Sequence, residues 1–164
     1  MVSDWTLIIA LGGWFFAILQ FAFSHTENIR KNEADLLEKT LGYFVKGMLA
    51  RSIAIGLVDG IWLQKKKFID VILPVLISQA NFLLTEAEDS DQEQRNLIRL
   101  LDLIYRCLPY ARDRGTELAE ISEALISGAR SEKGVNLAKG TLRLWFEKLN
   151  NGGAEIFEAE TEDI

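Results

Sequence analysis

The fold expected of this chain of 164 residues is decided by residues 5–24, which read WTLIIALGGWFFAILQFAFS. This stretch contains no ionisable side chain. At about 1.5 Å per helical residue, its length matches the ~30 Å hydrocarbon core of a bilayer. A cleaved signal peptide would need a basic segment before the apolar run, and no Lys or Arg precedes it. We therefore predict a transmembrane anchor in residues 1–24.

The charges that flank this anchor predict its orientation. Asp4 is the only charged side chain before it, whereas Arg30, Lys31 and the triplet at residues 65–67 follow it. Basic residues near a span are retained on the cytoplasmic side of the membrane. We expect a single-pass protein of the cell membrane, with its N-terminus outside and everything after the anchor in the cytoplasm.

Small and polar residues share one face of the predicted anchor. They recur at alternating spacings of four and three, as Thr6, Ala10, Gly13, Ala17, Gln20 and Ser24. Small residues let helices approach closely in lipid, and a Gln there gains roughly 1 kcal/mol from a partner across an interface. We expect the anchor to associate through this stripe, with a second copy or with another membrane protein. The alternative is that the stripe has no partner and Gln20 extends to the inner interface.

The chain after the anchor is expected to form one all-α domain. It has no repeat or low-complexity tract and few alternating strand patterns, and its length supports a single core. We divide it into a juxtamembrane neck at residues 25–35, a bundle of about five helices at residues 36–150 and a disordered acidic tail at residues 151–164. The run Asn150-Asn151-Gly152-Gly153 supplies the predicted stop of the last helix.

The apolar segment at residues 41–84 raises the question of further membrane spans. Its first half, to Leu63, contains ten Leu, Ile, Phe and Val residues, which are worth roughly 3–6 kcal/mol on an insertion scale. Lys46, Arg51 and Asp59 each cost up to about 2.5–3.5 kcal/mol near a bilayer centre. We therefore predict a continuous amphipathic helix from Leu37 to Leu63 that does not span. In the alternative, residues 41–84 insert as a hairpin in which Arg51 and Asp59 face each other or a water-filled path.

The next apolar helix is predicted at residues 68–84, as the central helix of the bundle, with Pro74 in its first turns. Between the two helices lie three lysines and two aromatic residues. The set predicted to contact anionic headgroups consists of Trp62, Lys65, Lys66, Lys67 and Phe68. Each Lys near an anionic surface contributes roughly 1 kcal/mol. The alternative is a solvated turn.

A charged stripe follows one face of the helix predicted at residues 91–108. It consists of Arg95, Arg99, Asp102 and Arg106, at spacings of four, three and four. Ser90 and Glu93 are typical of a capping box at the start of this helix. The stripe is either a solvated face or a ridge that binds a protein partner or a phosphate group.

Two further helices are predicted near the end of the domain. The first is short and closes near Gly128, and the second has one apolar side. The residues of that side are Val135, Ala138, Leu142, Trp145, Phe146 and Leu149. Gly140 lies inside the second pattern, at a cost near 1 kcal/mol relative to Ala.

The sequence argues against most catalytic and metal-dependent chemistry. His25 is the only histidine and Cys107 the only cysteine, so a histidine-based triad or zinc site has too few members. No glycine-rich phosphate loop is present, and the acidic loop at residues 85–94 lacks the Gly and Glu of a calcium loop. We predict no catalytic, cofactor or metal residues. Because the Lys and Arg residues are scattered among acids, we expect no nucleic-acid partner.

The sequence thus favours an interaction protein, namely a membrane-anchored adaptor or assembly subunit. Its expected partners are membrane lipid, a homo-oligomer or another membrane protein through the anchor, and a protein bound by the helical bundle at the cytoplasmic membrane face. Two alternatives are an oligomeric pore-forming effector with residues 41–84 in the membrane, and an enzyme built on carboxylates and Arg.

Overall fold

The computed structural model describes the backbone of residues 27–161 and the side chains of residues 27–138 and 140–151. In this part of the chain every regular element is helical, which confirms the all-α prediction. The chain divides into two compact units, one up to Lys39 and one from Thr40 onward. The predicted anchor and its stripe from Thr6 to Ser24 lie outside the described residues.

Among the helices that the structure describes, none combines the length and the apolar character needed to cross a bilayer. In the first unit, residues 27–39 are helical, which includes most of the segment predicted as a neck. We label the helix at residues 27–43 as α1.

The second unit is a helical bundle, as predicted. Its elements are α2 (Met48–Leu57), a π-helical segment (Val58–Leu63), α3 (Ile69–Thr85), α4 (Asp91–Cys107), a 3-10 turn (Leu108–Tyr110), α5 (Arg114–Arg130) and α6 (Lys139–Thr161). The π-helical segment follows α2 directly, so the two form one rod. Helix α3 packs against both α4 and α5, and its Leu73, Leu76 and Leu83 are fully buried. It is therefore the central helix that the sequence predicted, and it contains Pro74 in its second turn.

The predicted continuous helix from Leu37 to Leu63 is wrong. The chain leaves helical geometry after residue 43 and α2 begins at Met48, with Gly47 before it at φ 105°. Glycine reaches this left-handed region without the penalty that a Cβ brings. The break also redirects the apolar residues, since Val45 is 78% and Leu49 70% exposed.

Helix α5 is longer than predicted, because it begins at Arg114, before the first apolar residue of its pattern, and ends at Arg130, two residues after Gly128. Its N-cap is Asp113, whose carboxylate accepts the Thr116 N–H at 3.3 Å. A Cβ on Gly128 would lie 2.8 Å from the Cβ of Leu84 on α3. This glycine therefore allows close packing of α5 on α3 and is not a helix stop.

Helix α6 differs from its prediction at both ends. It begins at Lys139, so Val135 precedes it; the Val135 N–H donates to the Leu83 carbonyl at 2.7 Å. Gly140 falls in the first turn, where an extra Cβ would meet no atom within 4 Å. The predicted stop at residues 150–153 is wrong, because the backbone is helical through Thr161. Ala and Glu, which are strong helix formers, dominate residues 154–160 and offset the two glycines. That residues 151–164 act as a separate acidic tail stays a prediction.

Candidate partner-binding groove

The predicted ridge residues lie on the side of α4 that faces away from the core. Arg95, Arg99 and Arg106 are exposed and Asp102 is half-buried. Arg99, Asp102 and Arg106 also line a groove between the α2 rod, α4 and α6. The groove has a volume of about 380 Å³. The residues of the groove are Ile55, Asp59, Ile98, Arg99, Asp102, Leu103, Arg106, Trp145 and Lys148.

Four of the five charged side chains in the groove neutralise one another. Arg106 donates through Nη1 to Asp59 at 2.8 Å and through Nε to Asp102 at 2.9 Å. The Nζ of Lys148 lies 3.8 Å from the second oxygen of Asp102. The hydrogen bond to Asp59 raises the pKa of Arg106 above its ordinary value, while burial acts in the opposite direction. Because these side chains remain partly exposed, each pair stabilises the fold by about 0–1 kcal/mol.

The fifth charge belongs to Arg99, which makes no hydrogen bond or ion pair with any residue that the structure describes. The groove therefore contains three cations and two carboxylates, a net charge of +1. Beside Arg99, Ile98 is 42% exposed. Lys148 lies 4.4 Å from the centroids of both Tyr105 and Trp145, so these rings and the ammonium group hold one another in place.

The π-helical segment contributes Asp59 to this groove. A π-helical turn is rare and often occurs at functional sites, and here it contains the carboxylate that binds Arg106 across 47 residues of sequence. In the alternative of a membrane-inserted hairpin, Arg51 and Asp59 would face each other or a water-filled path, and the structure does not pair these two residues. Arg51 instead forms a buried ion pair with Glu93 of α4.

The buried ion pair belongs to a polar network between α2, α3 and α4. Arg51 also donates to Gln79 at 3.1 Å, and Glu93 accepts from Asn96 at 2.8 Å. Ser52 of α2 donates to Asn96 at 2.7 Å. Ser90 caps α4 by accepting the Glu93 N–H, as predicted, but the Glu93 side chain is engaged by Arg51 and Asn96. The burial of Glu93 could have been predicted from the sequence. Glu93 precedes Leu97 and Leu100 by one and two helical turns and therefore shares their buried face.

The residues predicted to contact headgroups divide into two groups. Trp62 is fully buried, and its indole N–H donates to Thr40 at 3.3 Å, so its predicted place on the surface is wrong. The ring of Phe68 meets the buried indole edge-on, with 5.6 Å between the centroids. Lys65, Lys66, Lys67 and Phe68 are exposed at the turn before α3. Their contact with lipid stays a prediction.

Two features of the described residues bear on metal binding and on thiol chemistry. No cluster of three His, Cys, Asp or Glu side chains among them is arranged to hold a metal ion. Burial raises the pKa of the Cys107 thiol to about 12, which disfavours the nucleophilic thiolate. No family model matches this chain, nor does any curated protein or solved structure.

Proposed function

We propose that this chain is a membrane-anchored adaptor or assembly subunit. In this proposal the groove between the α2 rod, α4 and α6 binds a carboxylate-bearing segment of a protein partner at the cytoplasmic membrane face. The observation that carries the proposal is Arg99, a guanidinium without a partner among the described residues, at a groove whose other charges are paired.

A guanidinium binds a carboxylate through two parallel hydrogen bonds, which gives both strength and orientation. The apolar surface of Ile98 and Trp145 beside it suits a hydrophobic side chain of the same ligand. Arg and Trp are also enriched among the residues that contribute most to protein interfaces. The neighbouring ion pairs favour one arrangement of the groove before binding, which lowers the entropy lost on association.

The membrane location in this proposal is supported by the composition of residues 5–24, which lie outside the described residues. The cytoplasmic location of the bundle is tested with a single cysteine that replaces the exposed Glu132 in a Cys107→Ala background. We expect this site to react with an impermeant thiol reagent only after the inner face is opened. Reaction of intact cells from outside would contradict the cytoplasmic orientation.

The groove is tested by photo-crosslinking in native membranes. A crosslinking amino acid replaces Ile98, and the control replaces Ile126 on α5, which is 41% exposed against 42% for Ile98. We expect a discrete protein adduct from position 98 only. Loss of a hydrogen bond to a charged group costs about 1.5–3 kcal/mol, so Arg99→Gln should lower the yield at limiting partner by roughly tenfold or more.

The matched control for Arg99→Gln is Arg130→Gln, which removes an exposed Arg of α5 that does not line the groove. The proposal fails if positions 98 and 126 give the same adducts, or if the two Arg substitutions reduce the yield equally.

A further inference from the structure

The outward side of the α2 rod is apolar. Leu49 is 70% and Ile53 54% exposed, and Gly56 and Gly60 follow on the same side. Their spacings of four, three and four place them on one helical face. Together with Val45, which is 78% exposed just before the helix, these residues form what we call the α2 face. A continuous exposed apolar face of this kind marks an interaction surface.

Basic residues lie at both ends of the α2 face, and no carboxylate lies on it. Lys46 lies at its first end, next to Val45, and Lys65, Lys66 and Lys67 follow its last residue. Asp59 is the only acidic residue between Thr40 and Phe68, and it is bound to Arg106 in the groove. The buried cation of the segment, Arg51, is neutralised by Glu93. Lys46 at one end lies over the ring of Tyr43 and Lys66 at the other end lies over the ring of Tyr110, so each end of the α2 face carries a cation.

We propose that the α2 face lies on an anionic membrane surface, with Leu49 and Ile53 inserted among the headgroups and the lysines at both ends bound to lipid phosphates. Apolar side chains flanked by Lys are the pattern by which helices bind in the plane of a membrane interface, inserted about 5–10 Å deep. Phe68 and Val71, which follow the lysines, are also exposed, at 40% and 49%.

Charge complementarity decides between lipid and a second copy of this chain. Two α2 faces packed together would bring the lysine-bearing ends of one copy against those of the other in either orientation, and like charges repel. An anionic bilayer offers the opposite charge, and each Lys near it contributes attraction. The inference rests on the membrane location in the proposed function. The α2 face adjoins the groove at Gly56, where an added Cβ would lie 3.9 Å from Nη2 of Arg99, but Leu49 and Ile53 do not line the groove.

The test uses the full chain reconstituted into vesicles of phosphatidylglycerol and phosphatidylcholine, in a Cys107→Ala background. An environment-sensitive fluorophore is attached to a cysteine at Leu49, or at Leu144 as the matched control, which is 66% exposed on α6. Lipids with a spin label near the headgroup serve as quenchers. For insertion of about 5–10 Å, we expect quenching at position 49 to exceed that at position 144 by roughly twofold or more.

The charge requirement is tested separately. Replacement of Lys65, Lys66 and Lys67 by Gln, or the use of phosphatidylcholine alone, should reduce the quenching at position 49 toward that at position 144. This inference is overturned if quenching is equal at the two positions while the chain still co-migrates with the vesicles in a flotation gradient. That result would leave the membrane anchor intact. A chain that does not float overturns the membrane location and this inference together. A blue shift at position 49 that depends on protein density and not on the quencher assigns the α2 face to self-association instead.

Discussion

The ion pair between Arg51 and Glu93 gives the sharpest test of how the bundle is held together. The two residues are only 5% and 6% exposed, so neither charge is solvated if the other is removed. Removal of one partner of a buried pair destabilises a protein by about 3–5 kcal/mol, because the remaining charge is uncompensated. Against a typical total of about 5–15 kcal/mol, that loss is a large fraction of the free energy of unfolding.

The other contacts of Arg51 and Glu93 show how little would compensate the charge that remains after each substitution. After Glu93→Leu, Arg51 keeps its bond to Gln79 and its position 5.4 Å from the centroid of Phe82, but both of these partners are neutral. After Arg51→Met, the Glu93 carboxylate keeps, among the described residues, the hydrogen bond from the amide of Asn96. We therefore expect each single substitution to cost about 3–5 kcal/mol.

The double variant removes both charges and should be far less harmful. Asn96 then loses one acceptor but still donates to the Met48 carbonyl at 3.0 Å. We expect the double variant to cost at most about 2 kcal/mol, well below the sum of the two single effects.

The assay is urea unfolding of the full chain, followed by circular dichroism in one fixed detergent. The control is Arg106→Met, which breaks the exposed pair with Asp59 and should cost no more than about 1 kcal/mol. The reasoning is refuted if either single substitution at the buried pair costs under about 1 kcal/mol, or if the double variant is as unstable as additivity predicts.

Four further predictions concern two glycines and two titrating groups. Gly56→Ala should raise the free energy of unfolding by about 0.5–1 kcal/mol, because a Cβ there meets nothing closer than 3.9 Å. Gly128→Ala should lower it by about 1–3 kcal/mol, since its Cβ would lie 2.8 Å from Leu84. Burial, and then neighbouring carboxylates, raise the pKa of Glu117, so its ionisation destabilises the folded state as pH rises. Glu117→Gln should therefore raise the thermal midpoint at about pH 7 and lose this advantage below the ordinary carboxyl range. Because burial raises the pKa of Cys107 to about 12, the folded chain should not react with a disulfide reagent at about pH 8 and should react once unfolded.

Each of these has a control within the chain. Glu123 is exposed on the same helix as Glu117, so Glu123→Gln should leave the midpoint nearly unchanged. A cysteine placed at the exposed Lys133 should react in the folded chain. Fast reaction of Cys107 in the folded state, or equal effects of the Gly56 and Gly128 substitutions, would contradict the packing described for these sites.

The helices of the bundle could be predicted from the sequence because their determinants are local. The period of apolar residues in α3 and α4, and the Ser90 cap, depend on residues within one or two turns of each other. The break at Gly47 was missed because the apolar spacing continues across it from Leu41 to Leu49. Gly128 was misread because its role is set by Leu84, a residue of another helix.

The candidate site could be predicted only in part, for the same reason. The sequence identified Arg99, Asp102 and Arg106, which share a face of one helix. It did not identify Asp59, Trp145 and Lys148 as their neighbours, because these come from other elements. Trp62 was assigned to the surface from the lysines beside it, whereas its hydrogen bond to Thr40 and its complete burial depend on tertiary packing.

The π-helical segment at Val58–Leu63 has a consequence for how relatives of this chain would be aligned with it. A π turn contains one residue more than the α turn that it replaces. A related chain in which this rod is a regular α-helix would therefore lack one residue in the middle of the helix. In such chains the α2 face and the lysine turn would also be rotated relative to each other by about 100°. We therefore expect deletion of one residue from this segment, which would restore regular helix, to shift Asp59 relative to Arg106 without changing either residue.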